Sequence, residues 1–453
     1  MRYFPWRIIG LIIFFYVADI GKLFGPDNFQ YPNWISIGNS INGEENSTPL
    51  KPIIVDHVSD DSVSRNPLLL WTPIDGAIYY ELEFLNELPE NPNGTQLSQY
   101  SVWSTREIYK NGYIADLSWA KPGALFWRVR ALDNRGLPLG VYSDARQVVV
   151  GNSKTDTLRP FLTVTFNLNG MATPLFPVYA WIPVPGAVRY EVEVCSQSPE
   201  NPNGIKPSKS RIWCGEGTGY DLYDNTPRNK SGTYYWRVRG LDKDGNPVGV
   251  YSNAGKYEVD MTKPAYSACF GDSITHGGGA ISYSPSDWEY DFETYLRFPT
   301  VNLGRSGDTI NSMTERFKSD VLPFRPKYLI ILGGTNSIRG GTSGFEVIRE
   351  LTRLRNMCEK QDIRPIFLTL PPINPEAIER VFGEKTDPKW RGEMDIVNHF
   401  IRQQKYYIDI APYLSDSEGN IPEYYAIDGL HPDISGKKMI ARLINENWNR
   451  VTR

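Results

Sequence analysis

The chain has 453 residues, enough for about three domains, with an apolar share of 40% and a charged share of 22% that suit a soluble globular protein. Its 27 Tyr, 12 Trp, 39 Gly and 34 Pro suit β-rich modules joined by tight turns. A net charge of −4 excludes the basic footprint of a nucleic-acid binder, and four scattered His with no His-Glu-x-x-His or Cys-x-x-Cys pair argue against a zinc site.

Arg2 and Arg7 flank the entry to an apolar run, Ile8 to Ala18, which has the length and polarity of a signal-peptide core. The run is shorter than the ~20 residues of a comfortable membrane span. Asp19, Ile20 and Lys22 follow in place of a small-x-small cleavage site, so residues 1–25 are either a removed signal or a retained membrane anchor. Both imply export, with the rest of the chain secreted, periplasmic or held outside the cytoplasm. Residues 26–64 are polar and aperiodic and read as a linker.

Next comes an internal repeat. Trp71-Thr72-Pro73 returns as Trp181-Ile182-Pro183, Glu90-Asn91-Pro92-Asn93-Gly94 as Glu200-Asn201-Pro202-Asn203-Gly204, and Trp127-Arg128-Val129-Arg130 as Trp236-Arg237-Val238-Arg239. A period this long means duplicated domains, not a solenoid. Within each copy, apolar and polar residues alternate. Tyr80, Leu82 and Phe84 share one face with Glu81 and Glu83 on the other, and Tyr190, Val192 and Val194 oppose Glu191 and Glu193. Period two predicts half-buried strands, and short strands between Gly- and Pro-rich turns predict β-sandwiches. Residues 65–150 and 172–260 resemble fibronectin type III domains, on the early Trp, the Trp-Arg-Val-Arg strand and the closing Gly-Val-Tyr-Ser. Cys195 and Cys214 in the second copy either form a disulfide or remain thiols.

From residue 262 to 453 the grammar changes to apolar runs alternating with helical periods. Ala265–Phe270, Thr300–Leu303, Tyr328–Leu332 and Pro365–Leu370 read as buried parallel strands. Phe292–Leu296, Ile310–Phe317, Gly344–Cys358, Arg391–Gln403 and Ser435–Trp448 read as helices. The expected architecture is two all-β sandwiches followed by a three-layer α/β domain with a parallel sheet.

Four islands in that last domain carry chemistry. Ser273 follows the first strand, Ser306-Gly307-Asp308-Thr309 the second and Gly333-Gly334-Thr335-Asn336 the third, while Asp428-Gly429-Leu430-His431-Pro432 precedes the last helix. A serine is a weak nucleophile until a base takes its proton. His431 is the candidate base, with Asp428 to fix its tautomer. His57 lies in the linker and His399 in an amphipathic helix, and His276 is too close to Ser273 in sequence to serve it. Candidate oxyanion donors are the backbone N–H of Ser273, the N–H of Gly307 and the side-chain amide of Asn336. Taken singly, Gly307 reads as a turn glycine and Asn336 as a helix cap; taken together the islands favour an acyl-transfer site. His276, Arg305 and Arg339 are candidate substrate contacts at its rim.

These blocks resemble those of the SGNH (GDSL) hydrolase family across residues 265–450. The resemblance implies a Ser273–His431–Asp428 triad, oxyanion donors at Ser273, Gly307 and Asn336, and no metal or organic cofactor. The third block departs from the family's usual Gly-x-Asn-Asp in having Ser337 after Asn336. Paired glycosidase carboxylates at Asp287 and Glu289 read more simply as a solvated face. The expected activity is a serine ester hydrolase acting on acyl groups of carbohydrate. The alternatives are a lipase or thioesterase, a sugar O-acyltransferase, or a surface carbohydrate-binding scaffold. The expected partner is an acylated polysaccharide, with no nucleic acid.

Overall fold

In a computed structural model, residues 49–55, 64–74, 77–133, 135–151, 157–164, 166–167, 171–279 and 288–453 are described. The expected signal or anchor, most of the linker with His57, and Asp287 lie outside the described residues. Among the described residues no helix is long and apolar enough to cross a membrane. The chain divides into two compact units, the first ending at Leu158 and the second beginning at Arg159.

The first unit holds β1 (Ile54–Val55), β2 (Leu68–Trp71), β3 (Tyr79–Leu85), β4 (Ser101–Ile108), β5 (Gly112–Ile114), β6 (Gly123–Leu132) and β7 (Arg146–Val150). A sheet ordered β4-β3-β6-β7 faces one ordered β1-β2-β5 across a core that includes Trp71, Tyr80, Leu82, Phe84 and Trp127. The alternation along β3 thus names the core face correctly. Its other face is not solvated as expected. Arg128 Nε donates to Glu83 Oε1 at 2.6 Å with both side chains fully buried, and the rest of its guanidinium donates to Asn91 O and Oδ1 at 2.8 and 2.9 Å. The Glu-Asn-Pro-Asn-Gly loop closes over this pair, and so many hydrogen bonds make its burial tolerable.

The second unit opens with β8 (Phe161–Leu162), β9 (Val178–Ile182), β10 (Arg189–Cys195), β11 (Arg211–Gly217), β12 (Asp221–Tyr223), β13 (Gly232–Leu241), β14 (Pro247–Val248) and β15 (Gly255–Val259). Two antiparallel sheets, β11-β10-β13-β14 with β15 on β13, and β12-β9-β8, pack through Tyr179 against Trp236 and Trp181 against Tyr190. Repeated residues make repeated bonds: Arg237 meets Glu193 and Asn201 as Arg128 meets Glu83 and Asn91. β8 pairs with Ile182 and Trp181, so this sandwich begins before residue 172. No disulfide forms here. Cys195 stands opposite Arg211 and Cys214 opposite Glu193, and both thiols are free.

The α/β part follows as β16 (Ser267–Gly271), α1 (Ser273–His276), β17 (Thr300–Asn302), α2 (Ile310–Asp320), β18 (Tyr328–Leu332), α3 (Thr335–Arg339), α4 (Gly344–Glu359), β19 (Arg364–Leu368), α5 (Pro375–Phe382), α6 (Trp390–Arg402), β20 (Tyr407–Ile408) and α7 (Ile434–Thr452). Its five strands are all parallel, in the order β17-β16-β18-β19-β20. Phe292–Tyr295 is a 3-10 turn, not an α-helix. β20 is too short for a periodic signal. α5 does carry one, with Asn374 capping, Pro375 at the first position and left-handed Gly383 at the end. Leu175 and Phe176, from the segment before β9, belong to the buried core of this part, and Leu175 N donates to Asn302 O at 2.9 Å.

Candidate active site

In this order β17 is added on one side of β16 and β18 to β20 on the other, and open parallel sheets place ligands at the carboxyl ends of strands beside such a switch point. Ser273 follows β16, Gly307 follows β17 and Asn336 follows β18, so three neighbouring strands deliver three islands to one edge. The turn after β16 is tight. Asp272 caps α1 by accepting from Ile274 N at 3.0 Å, and a Cβ on Gly271 would lie 2.1 Å from Leu332 O. Only glycine lets β16 and β18 approach this closely at that point.

Ser273 Oγ lies 2.9 Å from His431 Nε2, and His431 Nδ1 lies 2.7 Å from Asp428 Oδ2. The carboxylate only accepts, so Nδ1 carries the proton and Nε2 is left to accept from the Ser273 hydroxyl. Asp428 is fully buried and its Oδ1 also accepts from Leu430 N and His431 N, both at 2.8 Å. Gly429, with φ +76°, makes the turn between them, where a Cβ would meet Asn374 O at 2.5 Å.

The flanking loops are tied together. Asn336 Nδ2 donates to Asp308 O at 3.0 Å, Ile310 N to Ser337 Oγ at 3.0 Å, and Arg305 N to Gly271 O at 3.0 Å. Gly307 has φ +84°, which favours glycine, and open space where a Cβ would stand. Ser337, the departure from the usual third block, thus holds the start of α2 to α3.

Of the expected rim residues, His276 does not stand at the rim. His276 is fully buried, with Nε2 2.8 Å from Phe176 O and Nδ1 2.8 Å from Ser306 Oγ, so it is not a surface contact. Arg305 lies over the Phe176 ring at 5.6 Å, and Arg339 pairs with Glu384 at 3.0 Å. His399 is exposed beside Gln403, and Glu289 is buried where a solvated face was expected. Sequence reading missed Arg316. It is buried against Asp308 and Asp320 and donates to Leu303 O at 2.9 Å and Gly271 O at 3.0 Å. Lys437 was also missed. Its ammonium donates to Ile274 O at 2.6 Å among Asp272, Asp291, Glu293 and Asp433. Burial lowers its pKa and raises that of Glu293. Among the described residues no cluster of His, Cys, Asp or Glu is arranged to hold a metal.

Burial lowers His276 from its ordinary 6.5 to about 4, helped by the Arg316 and Lys437 charges and opposed by the bond to Phe176. Burial raises Asp272 from 3.8 to about 6, helped by Asp308 and opposed by the Ile274 N–H, His431 and Lys437. The signs are opposite. Stability from His276 is present above pH 6.5 and is lost as pH falls through about 4; stability from Asp272 is present below pH 3.8 and is lost as pH rises through about 6. A His276→Phe variant lacks the first dependence. The stability gap between it and the wild type is expected to shrink by on the order of 3 kcal/mol between about pH 7 and about pH 4. Denaturant unfolding at both pH values measures this, and a constant gap contradicts it.

Residues 269–439 match the sequence model of the GDSL-like lipase/acylhydrolase family, and this domain is that of a serine ester hydrolase. Over 123 residues, 23% of this chain, the sequence is 30% identical to the uncharacterized lipoprotein YqeF of Bacillus subtilis (strain 168), and the match covers 47% of that protein. The chain therefore matches about half the length of that curated relative. Among solved structures, a GDSL-like lipase from Bacteroides thetaiotaomicron VPI-5482 is similar at 19% identity and TM-score 0.33, over 41% of this chain and 87% of that one. An acetyl xylan esterase is similar at 18% identity and TM-score 0.31, over 41% and 98%.

Proposed function

We propose that this chain is an exported serine esterase that removes acetyl or other short acyl groups from carbohydrate through an acyl-enzyme. The observation that carries the chemistry is the unbroken chain from Ser273 Oγ to His431 at 2.9 Å and from His431 to Asp428 at 2.7 Å. Ser273 Oγ attacks the ester carbonyl while His431 Nε2 takes its proton. The oxyanion is held by the N–H groups of Ser273 and Gly307 and by the Asn336 amide, whose other N–H is anchored on Asp308 O. His431 then protonates the leaving alcohol, the acyl-enzyme forms, and His431 activates the water that releases the acid. Two sandwiches resembling fibronectin type III domains, modules that often accompany extracellular polysaccharide enzymes, support a carbohydrate ester. The charged, apolar-cored segment at residues 1–25 supports export.

A longer acyl chain is the second reading. It is favoured by Phe382, whose ring lies 6.0 Å from that of His431, and by its exposed neighbour Val381. Rates on p-nitrophenyl acetate and octanoate, with mass spectrometry of acids released from acetylated xylan and from phospholipid, separate the two. Preference for acetate and release of acetic acid from the glycan are expected. Rates rising toward octanoate favour the second reading, and no turnover of any ester overturns both. Asn336→Ala is expected to lower kcat by about 10²–10³-fold with little change in KM, because its donor acts on charge that develops only in the transition state. Steady-state kinetics check this, and a loss under about threefold removes Asn336 from the role.

A further inference from the structure

We propose that the second sandwich is a working part of the ester site, acting through His276: the Phe176 carbonyl fixes the imidazole, and the imidazole fixes Ser306 beside the oxyanion donor Gly307. The proposal rests on the esterase reading for its catalytic meaning and on geometry for its mechanics.

A carbonyl oxygen only accepts, so the 2.8 Å contact between Phe176 O and His276 Nε2 places the ring proton on Nε2. Nδ1 is then bare and accepts from the Ser306 hydroxyl at 2.8 Å. One neutral imidazole thus links a sandwich loop to the loop after β17. The link is held at every point. The His276 backbone N donates to Asp272 O at 2.8 Å, and a Cβ on Gly304 would lie 2.2 Å from His276 N, so α1 and the β17 loop are in close contact. The rings of Phe176 and Tyr223 meet the imidazole edge-on, at 6.4 and 5.0 Å. On the sandwich side, Leu175 donates to Asn302 O at 2.9 Å and accepts from Arg228 N at 2.8 Å, which pins the segment that presents the Phe176 carbonyl. The Phe176 ring lies under the guanidiniums of Arg305 and Arg316, at 5.6 and 5.8 Å, and Arg316 in turn holds the carbonyls of Gly271 and Leu303.

An oxyanion donor is useful only when it is placed in advance, within about half an ångström of its productive position. His276 therefore has a positioning role. It touches no substrate, but it sets where the Gly307 N–H points. The catalytic unit then includes the sandwich before it and does not begin at residue 262.

The test uses the full chain. His276→Phe removes both bonds and keeps a planar aromatic ring, and Ser306→Ala removes one end of the link. Each is expected to lower kcat on p-nitrophenyl acetate by about tenfold or more with KM changed less than about threefold, as for misplaced groups that act in the transition state. The double variant is expected to be no worse than the worse single one, because both break one link. His276→Asn, whose side-chain oxygen replaces Nδ1 as acceptor, is expected to recover part of kcat. Independently of turnover, hydrogen–deuterium exchange of residues 303–309 is expected to rise in His276→Phe and Ser306→Ala. A folded His276→Phe with kcat within about twofold of wild type, or kcat losses that multiply in the double variant, overturns the proposal. If His276→Phe does not fold, Ser306→Ala decides on the same terms. A wild type that hydrolyses no ester overturns the esterase reading; faster loop exchange in the variants then still supports the link, and unchanged exchange overturns it.

Discussion

Ser273→Ala is expected to lower kcat on p-nitrophenyl acetate by about 10⁴-fold or more and to leave the melting temperature almost unchanged. The large effect follows from the loss of the nucleophile. Without Oγ, the His431 imidazole has no proton to take and no acyl-enzyme can form, so only the oxyanion donors and substrate binding remain. The small effect on stability follows from geometry. The hydroxyl is lost from one hydrogen bond, to His431 Nε2 at 2.9 Å, while His431 keeps its contact to Asp428 at 2.7 Å. His431→Ala is expected to cost about as much, and the double variant no more than either, since residues that act as a unit are strongly non-additive. Equal rates for wild type and Ser273→Ala would remove this serine from the chemistry and favour the surface-binding alternative.

Arg316→Ala is expected to have the largest effect on stability, about 3–5 kcal/mol. Arg316 is 6% exposed, its partners Asp308 and Asp320 are each 4% exposed, and its guanidinium lies 4.2 Å from the Phe270 ring centre. A surface ion pair contributes only about 0–1 kcal/mol, because water replaces either partner cheaply. Here water is excluded, and removing the cation strands two carboxylates and the carbonyls of Gly271 and Leu303. Lysine is expected to rescue poorly, because a single ammonium cannot present the planar fork that four acceptors use. Native-state hydrogen exchange at the amides of β16 and β18 measures the loss in the relevant unit, without assuming that the whole chain unfolds in one step. A loss below about 1 kcal/mol would mean that the network is not the buried clamp its geometry describes. Because Gly271 and Leu303 precede the loops of Ser273 and Gly307, kcat is expected to fall as well.

Local chemistry in the sequence determined the site residues that a reaction needs by type. A hydroxyl, an imidazole, a carboxylate and a side-chain amide stand at strand ends or before the last helix, and the structure brings Ser273, His431 and Asp428 into one hydrogen-bonded chain. Apolar runs likewise announced β16, β18 and β19, because a strand buried on both faces has to be apolar throughout. The repeated tryptophans and Trp-Arg-Val-Arg segments announced two similar sandwiches. Alternation, however, says which residues share a face and nothing about what covers that face. Glu83 and Glu193 read as solvated, yet each lies under its own Asn-Pro-Asn-Gly loop, paired with an arginine from a neighbouring strand. His276 was misplaced for the same reason: its partner Phe176 is 100 residues away, in what reads as a separate module. Arg316 looks like one polar residue of an amphipathic helix until the ends of β16 and β17 are set beside it. Tertiary structure alone decided these points, because the cost of burying a charge or an imidazole depends on partners supplied by distant segments, and no local pattern records them.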